Sequence, residues 1–243
     1  MSGPEKPSFR RVVRRQPSGD AFGSSWSELR PASLWATIRS YIGLGREAAP
    51  EPVDTPEALA RFLDTRASFV AQTSLYGYLR TRAGMRYPEL FQDDPFVEAI
   101  NIAKWHVWLD CLSDIAVHAG SRLALEAPRE ASRVARMMTA AVEGVLAQAG
   151  APAEAGDEFG AHAQRVRHRV ARTDWLSVGL DDAAFTESPA GLVHWAPVMH
   201  ELKQLDEEIV RNSVRFRWQE VRRDFASRLD AQALLGTIPR DQD

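Results

Sequence analysis

Apolar residues recur every three or four positions along most of the chain beyond residue 31, which is the pattern of helices with one buried face. No run of strand length alternates apolar and polar residues between hairpin turns, so no sheet is predicted. No repeat of 20 to 50 residues appears, which disfavours a solenoid. The fold class predicted is therefore all-α, an irregular helical bundle of about six helices.

Capping residues, prolines and glycines divide this pattern into segments. The bundle helices are predicted over about 55–84, 94–120, 128–150, 156–173 and 197–225. Gly120 marks the approximate end of the second of these, and Pro197 starts the longest. Short helices and turns fill the interval before Pro197. The apolar side of the last helix is predicted to carry Val198, Leu202, Leu205, Ile209, Val210, Val214, Trp218, Val221 and Phe225.

Two further segments precede the bundle. The predicted organisation is a flexible basic arm at 1–25, an amphipathic docking helix at 26–48 and a helical bundle domain at 55–235. The apolar stripe of the docking helix comprises Leu34, Trp35, Ile38, Tyr41 and Ile42. Such a helix packs either on the protein's own body or on an anionic membrane, and both alternatives stay open.

Composition narrows the class of protein. In 243 residues, 44% are hydrophobic, which is enough to form a core, and no stretch is long and apolar enough to predict a membrane span. The N-terminus does not resemble a signal peptide, and Cys111 is the one cysteine, so no intramolecular disulfide is expected. We expect a cytoplasmic protein, with the surface of the inner membrane as an alternative site of action.

Charge is distributed unevenly. The net charge is -3, which argues against a globally basic nucleic-acid binder, so nucleic-acid binding is not predicted. Residues 1–45 nevertheless contain seven basic and three acidic residues. The predicted partner is an acidic protein or an anionic membrane surface, contacted through Arg10, Arg11, Arg14, Arg15, Trp35 and Tyr41. A second basic face is predicted on the fourth bundle helix from Arg165, Arg169 and Arg172.

The second bundle helix carries polar residues on its apolar side. Lys104, Cys111 and His118 are seven residues apart and share a face with apolar residues, so we expect them to be buried. Cys111 and His118 are separated by about 10.5 Å along the helix, so they cannot form a nucleophile–base pair. Lys104 either reaches the helix edge or serves as the counter-ion of a small ligand.

The opposite face of that helix provides the candidate chemistry. His106, Asp110 and Asp114 recur every four residues, and Glu158 and His162 repeat this spacing on a later helix. On facing helices these residues have two possible roles. The candidate metal ligands are His106, Asp110, Glu158 and His162, and the candidate catalytic pocket is lined by Tyr76, Tyr78, His106, Asp110 and His162. The alternative is two solvated faces, and no metal is predicted on this spacing alone.

Sequence motifs for common enzyme classes are missing from the sequence. It contains no G-x-S-x-G elbow and no Walker loop, and the run His200-Glu201-Leu202-Lys203-Gln204 lacks the second histidine of a zincin. No cofactor is predicted.

Two blocks of sequence resemble an uncharacterised bacterial all-helical family whose members often carry the automatic name "esterase". These are FVAQTSLYGYLRTRAGMRYPELF with INIAKWHVWLDCLSDIAVHAG, and LVHWAPVMHELKQLDEEIVRNSVRFRWQEVRRDF, about a third of the chain in total. The name implies a nucleophile and a base, whereas the hydrolase elbow is missing. We therefore expect a helical interaction or assembly protein, with a hydrolase whose site lies between bundle helices as the alternative.

Overall fold

The computed structural model describes residues 51–237. The predicted basic arm at 1–25 and docking helix at 26–48 lie outside these residues. Within 51–237 the chain forms helices and no strand, apart from an isolated parallel bridge between Val53 and Leu229. The predicted all-α bundle of about six helices is confirmed.

The helices follow one another through short connections, with a longer loop before α6. They are α1 (Pro56–Ala83), α2 (Tyr87–Leu90), α3 (Asp94–Glu126), α4 (Ala131–Ala149), α5 (Phe159–Arg172), α6 (Glu187–Trp195), α7 (His200–Arg228) and α8 (Ala231–Gly236). Single 3₁₀ turns occupy Gly84–Arg86, Pro128–Glu130, Ala153–Ala155 and Asp182–Ala184. No helix in this part of the chain combines the length and the apolar character needed to cross a membrane.

Local sequence explains where the first helix begins and ends. The Thr55 hydroxyl accepts a hydrogen bond from the Ala58 amide at 3.1 Å, and Pro56 occupies the first helical position, where no amide is required. Gly84 ends α1 with a φ of 54°, a conformation that costs a glycine little. The predicted bounds of about 55–84 therefore match this helix.

α3 lies at the centre of the bundle and packs against α1, α4, α5 and α6. Every residue from Ala103 to Ser121 in its middle is buried. With 33 residues it is longer than α7, which has 29 and begins at His200, so the prediction that Pro197 starts the longest helix is wrong. Since α3 is covered all round, both of its polar faces point into protein.

The predicted end of this helix at Gly120 is also wrong, because α3 continues to Glu126. A Cβ atom at position 120 would lie 2.2 Å from a ring carbon of Trp175. Trp175 belongs to the loop before α6 and is itself buried. Gly120 is therefore a packing residue, which admits an indole against the helix backbone, and not a terminator.

α7 packs on α6 and α1 through one side only. Its buried residues are Val210, Val214, Trp218, Val221 and Phe225. Leu205 and Ile209 were predicted on the same side but are 75% and 73% exposed, together with Phe216 at 71%. At about 100° per residue these three side chains lie nearly opposite the buried ones. The prediction is wrong for Leu205 and Ile209 because no described element covers that side of α7.

Candidate functional site

α3 and α5 bring three of the predicted site residues into one hydrogen-bonded chain. The Nε2 atom of His162 lies 2.8 Å from Oδ1 of Asp110, and its Nδ1 atom lies 2.7 Å from Nδ1 of His106. The chain ends at the Ala155 carbonyl, 3.1 Å from Nε2 of His106. His106, Asp110 and His162 are 0%, 5% and 4% exposed, so the chain is closed to solvent.

α6 covers this chain from the other side. The Trp195 indole stacks on the His106 ring with 3.7 Å between centroids and 14° between planes. Gly191 lies directly against Asp110, because a Cβ at position 191 would fall 1.8 Å from Oδ2. That oxygen is buried and has no hydrogen-bond partner among the described residues. A glycine at this position is therefore required for α6 to close over the carboxyl group.

The Ala155 carbonyl sets the direction of every hydrogen bond in the chain. A carbonyl only accepts, so Nε2 of His106 donates, and the neutral His106 ring then accepts at Nδ1. His162 must therefore donate from Nδ1 to His106. What remains is one proton between Nε2 of His162 and Oδ1 of Asp110. The chain thus holds that proton either as a carboxylic acid beside a neutral imidazole or as an ion pair.

Burial favours the neutral form of this pair. Desolvation, reinforced by the nearby Asp114 and Glu187 carboxylates, raises the pKa of Asp110 to about 8. Desolvation, together with Arg165, lowers the pKa of His162 to about 4, and desolvation with the neighbouring His162 ring lowers the pKa of His106 to about 4. Asp110 therefore keeps the shared proton at neutral pH, and its Oδ1–H donates a hydrogen bond to Nε2 of His162.

The other predicted members of this site lie elsewhere. Glu158 is exposed just before α5 and forms no part of the chain. The Tyr78 hydroxyl donates to Asp206 on α7 at 3.0 Å. Burial, together with this hydrogen bond, raises the pKa of Tyr78 to about 12. The pKa of Tyr76 is raised mainly by burial and to a smaller extent by Tyr87. Within residues 51–237, no group of three or more His, Cys, Asp or Glu side chains is arranged to hold a metal ion.

Asp114, one turn beyond Asp110, supports the start of α6. Its carboxylate accepts from the amides of Thr186, Glu187 and Ser188 at 3.3, 3.1 and 2.8 Å, and from the Ser188 hydroxyl at 2.6 Å. The Ser188 hydroxyl in turn accepts from the Trp218 indole at 2.9 Å. A carboxylate at a helix N-terminus satisfies amides that have no partner within the helix. Asp114 therefore fixes α6, and with it the cover over Asp110.

The predicted basic face on α5 is divided by this arrangement. Arg169 donates to Asp114 at 2.6 Å, to Ser113 at 3.0 Å and to the Ala184 carbonyl at 2.7 Å. It is engaged inside the bundle and does not present its charge to a partner. Arg165 and Arg172 remain exposed on the same helix. Sequence spacing could not distinguish them, because the residue that binds Arg169 is 55 positions away.

Lys104, Cys111 and His118 are buried in α3. Lys104 donates to Glu154 at 3.0 Å and to Asn101 at 3.2 Å, so its charge has protein partners. Burial raises the pKa of the Cys111 thiol, which disfavours a thiolate. Burial, with Arg222 and Arg122 nearby, lowers the pKa of His118 to about 4, and neither ring nitrogen has a partner among the described residues. These three are interior residues of α3.

A second candidate region is the exposed side of α7, which we name the outer face. It comprises Glu201, Leu205, Glu208, Ile209, Asn212, Arg215, Phe216 and Arg223, all exposed. The sequence contained a signal for it, namely a second apolar spacing within 197–225 that is offset from the buried residues. A single apolar stripe for the whole helix places Leu205 and Ile209 on the buried side, so the sequence prediction does not include this face.

No protein-family model, no curated protein and no solved structure matches this chain. The likeness to a family named "esterase" therefore stays a prediction, and the two regions above must be interpreted from their own chemistry.

Proposed function

We propose that this chain is a helical interaction or assembly protein whose contact surface is the outer face of α7. The observation that supports this proposal is the exposure of Leu205, Ile209 and Phe216, each more than two-thirds accessible, along one side of a 29-residue helix. Single exposed apolar residues are common, whereas an aligned apolar stripe with polar edges is typical of a surface that binds another protein.

The buried Asp110–His162–His106 chain fits a role in holding this surface rigid. It joins α3 to α5 and reaches the loop before α5, while Asp114 joins α3 to α6, on which α7 packs. Hydrogen bonds between buried polar groups depend on direction, so they specify one packing arrangement more strongly than apolar contacts do. The interior network therefore supports a fixed position of α7 relative to the rest of the bundle.

The proposal is tested by the size of the protein's complexes in a fresh cell extract. We expect the full chain to elute above its monomer mass of 27.1 kDa and the Ile209→Glu/Phe216→Glu variant to elute as a monomer. The matched control is Met85→Glu, at an apolar residue that is 97% exposed but lies outside α7. Elution of the unsubstituted chain as a monomer would contradict the proposal.

The basic N-terminal segment provides a separate contact in the same proposal, with an acidic protein or with an anionic membrane. Arg10, Arg11, Arg14 and Arg15 would supply the charge and Trp35 and Tyr41 the apolar contacts. Sedimentation with vesicles containing phosphatidylserine, compared with neutral vesicles, tests the membrane alternative. Binding that persists after all four arginines are replaced by glutamine would exclude the arm as its cause.

The second candidate function is a hydrolase, and the Asp110–His162–His106 chain is the observation that favours it. An acid that orients an imidazole is a common support for a general base. Against it, the Ser188 hydroxyl is bonded to Asp114 and the Cys111 thiol is buried with a raised pKa, so neither is an activated nucleophile. A screen of ester substrates tests this alternative. If the hydrogen-bonded Asp110, His162 and His106 are catalytic, turnover must fall in His106→Ala and in His162→Ala.

A further inference from the structure

We infer that the outer face of α7 binds the outer face of a second copy of this chain, with the two α7 helices antiparallel. The inference rests on the proposed function and deepens it, because it names the partner. Its basis is the order of charges and apolar residues along α7.

Four of the five exposed Glu and Arg residues of α7 are ordered by sign, and the fifth, Glu220, lies at the edge of the outer face. Glu201 and Glu208 lie in the N-terminal half of the helix, and Arg215 and Arg223 lie in the C-terminal half. None of the four forms an ion pair with another residue in 51–237. Arg215 donates to Asn212 at 3.1 Å and Arg223 to the Gln219 carbonyl at 3.2 Å, both on their own helix. The charges are therefore available to a partner.

An antiparallel pair of α7 helices brings opposite charges together. With a two-fold axis near Asn212, Glu201 lies across from Arg223 of the second copy, and Glu208 lies close to its Arg215. Each pair occurs twice, since the two-fold axis repeats every contact. A parallel pair would place acids beside acids and bases beside bases, which costs binding energy. The charge order thus selects one orientation.

The apolar residues follow the same symmetry. Ile209 and Phe216 lie on either side of the axis at similar distances, so Ile209 of one copy contacts Phe216 of the other. Leu205 extends the apolar stripe outward on both sides. Asn212 lies at the axis, where a polar residue within an apolar contact fixes the register of two helices. The outer face is therefore complementary to itself in the order of its charges and of its apolar residues, and a second copy fits it best.

The test uses charge reversal in the full chain, measured by sedimentation velocity from nanomolar to high micromolar concentration. We expect the unsubstituted chain to form a dimer of twice 27.1 kDa. Glu208→Arg alone and Arg215→Glu alone each place like charges together twice, and we expect each to raise the dimer Kd by about tenfold or more. Mixing the two variants restores both attractive pairs, so a heterodimer forms with an affinity near that of the unsubstituted dimer.

Two controls separate this interface from general charge effects. Glu98→Arg and Arg129→Glu reverse exposed charges on α3 and in the turn before α4, and their dimer Kd remains unchanged. The double variant Glu208→Arg/Arg215→Glu regains the dimer, since it carries the reversed pairs within one chain. A misfolded single variant is recognised because it cannot dimerise on mixing and its circular dichroism differs from that of the controls.

Several outcomes overturn the inference. It fails if the purified chain stays monomeric at every concentration, or if both single variants fold but mixing does not restore the dimer. It also fails if Trp35→Glu converts a monomeric chain to a dimer, since the chain's own N-terminal segment would then cover the outer face. A monomeric purified chain together with a larger complex in extract leaves the proposed function standing, whereas a monomer in both contradicts the two together.

Discussion

The central helix α3 and the outer helix α7 reverse the usual placement of side chains. α3 buries the polar groups of His106, Asp110 and Asp114, whereas α7 exposes Ile209 and Phe216. The difference follows from the number of neighbouring helices, because four helices pack against α3, whereas α7 contacts its neighbours along one side. The polar groups inside join α3 to α5 and α6 through hydrogen bonds, and the apolar groups outside are exposed for the association that we propose.

The strongest test of the interior half of this comparison is Asp114→Ala. It removes the acceptor of the Thr186, Glu187 and Ser188 amides and leaves the partly buried Arg169 without its carboxylate. We expect the free energy of unfolding to fall by about 3–5 kcal/mol, measured by urea denaturation. The control Asp182→Ala breaks an ion pair near the surface and costs about 1 kcal/mol or less. Equal losses in the two variants would contradict the role given to Asp114.

The next largest effect is expected at Gly120, which packs against the Trp175 indole. Gly120→Ala places a Cβ 2.2 Å from the indole, which must move, and we expect a loss of about 2–3 kcal/mol in unfolding free energy. The control is Gly144→Ala on α4, where the new Cβ meets no atom within 4 Å and the helix gains up to about 1 kcal/mol. Opposite signs for one substitution type show that packing, and not helix termination, explains Gly120.

A smaller effect is expected in the pH dependence of Asp110. Its pKa is about 8 in the folded chain and about 3.8 when unfolded, so the native state holds a proton that the unfolded state has lost, and stability falls as pH rises toward 8. His106 and His162 act oppositely below about pH 6.5, because their lowered pKa values make protonation favour unfolding.

Between about pH 6.5 and 8 the difference in unfolding free energy between the unsubstituted chain and Asp110→Asn reports Asp110, with a slope of at most about 1.4 kcal/mol per pH unit. Asp110→Asn keeps a donor toward His162 and removes the titrating group. Its unfolding free energy, measured by urea denaturation at each pH, should therefore not show this slope. Asp157→Asn, at an exposed carboxylate, should follow the unsubstituted curve. Parallel curves for Asp110→Asn and the unsubstituted chain would show that Asp110 is not protonated in this range.

The smallest expected effect concerns the exterior half of the comparison. Ile209→Glu and Phe216→Glu replace residues that bury little surface within the chain, so we expect changes within about 0.5 kcal/mol in the unfolding free energy of dilute protein. At high concentration the unsubstituted chain becomes more stable than the variants, because association stabilises the folded state by mass action. A large loss in dilute protein would mean that these residues act in folding.

Sequence reasoning predicted the helix bounds where local chemistry decides them. Thr55 and Pro56 mark the start of α1, and Gly150 marks the end of α4 with a φ of 66°. It failed where distant packing decides. Gly120 has the same sequence appearance as a terminator, and only the position of Trp175 distinguishes the two roles.

The candidate site was predicted in part for the same reason. Four-residue spacing places His106 and Asp110 on one face of a helix and identifies His162 as a partner, but the spacing equally suits a solvated face. Which of the two holds depends on α6 closing over α3, and that closure depends on Gly191 and on the partners of Asp114. The sequence pattern does not reveal that Leu205 and Ile209 are exposed, because it does not show how many neighbours a helix has.

The acceptor at the end of the buried chain is a main-chain atom. Every amino acid carries a carbonyl, so any codon at position 155 encodes the group that orients His106. The tautomer of that histidine is thus determined by the position of the backbone at residue 155 and not by the residue type there. Substitutions at Ala155 would change the volume packed beside the imidazole while leaving its proton where it is. A comparison of sequences at this position would therefore show no trace of the group on which the whole chain of hydrogen bonds depends.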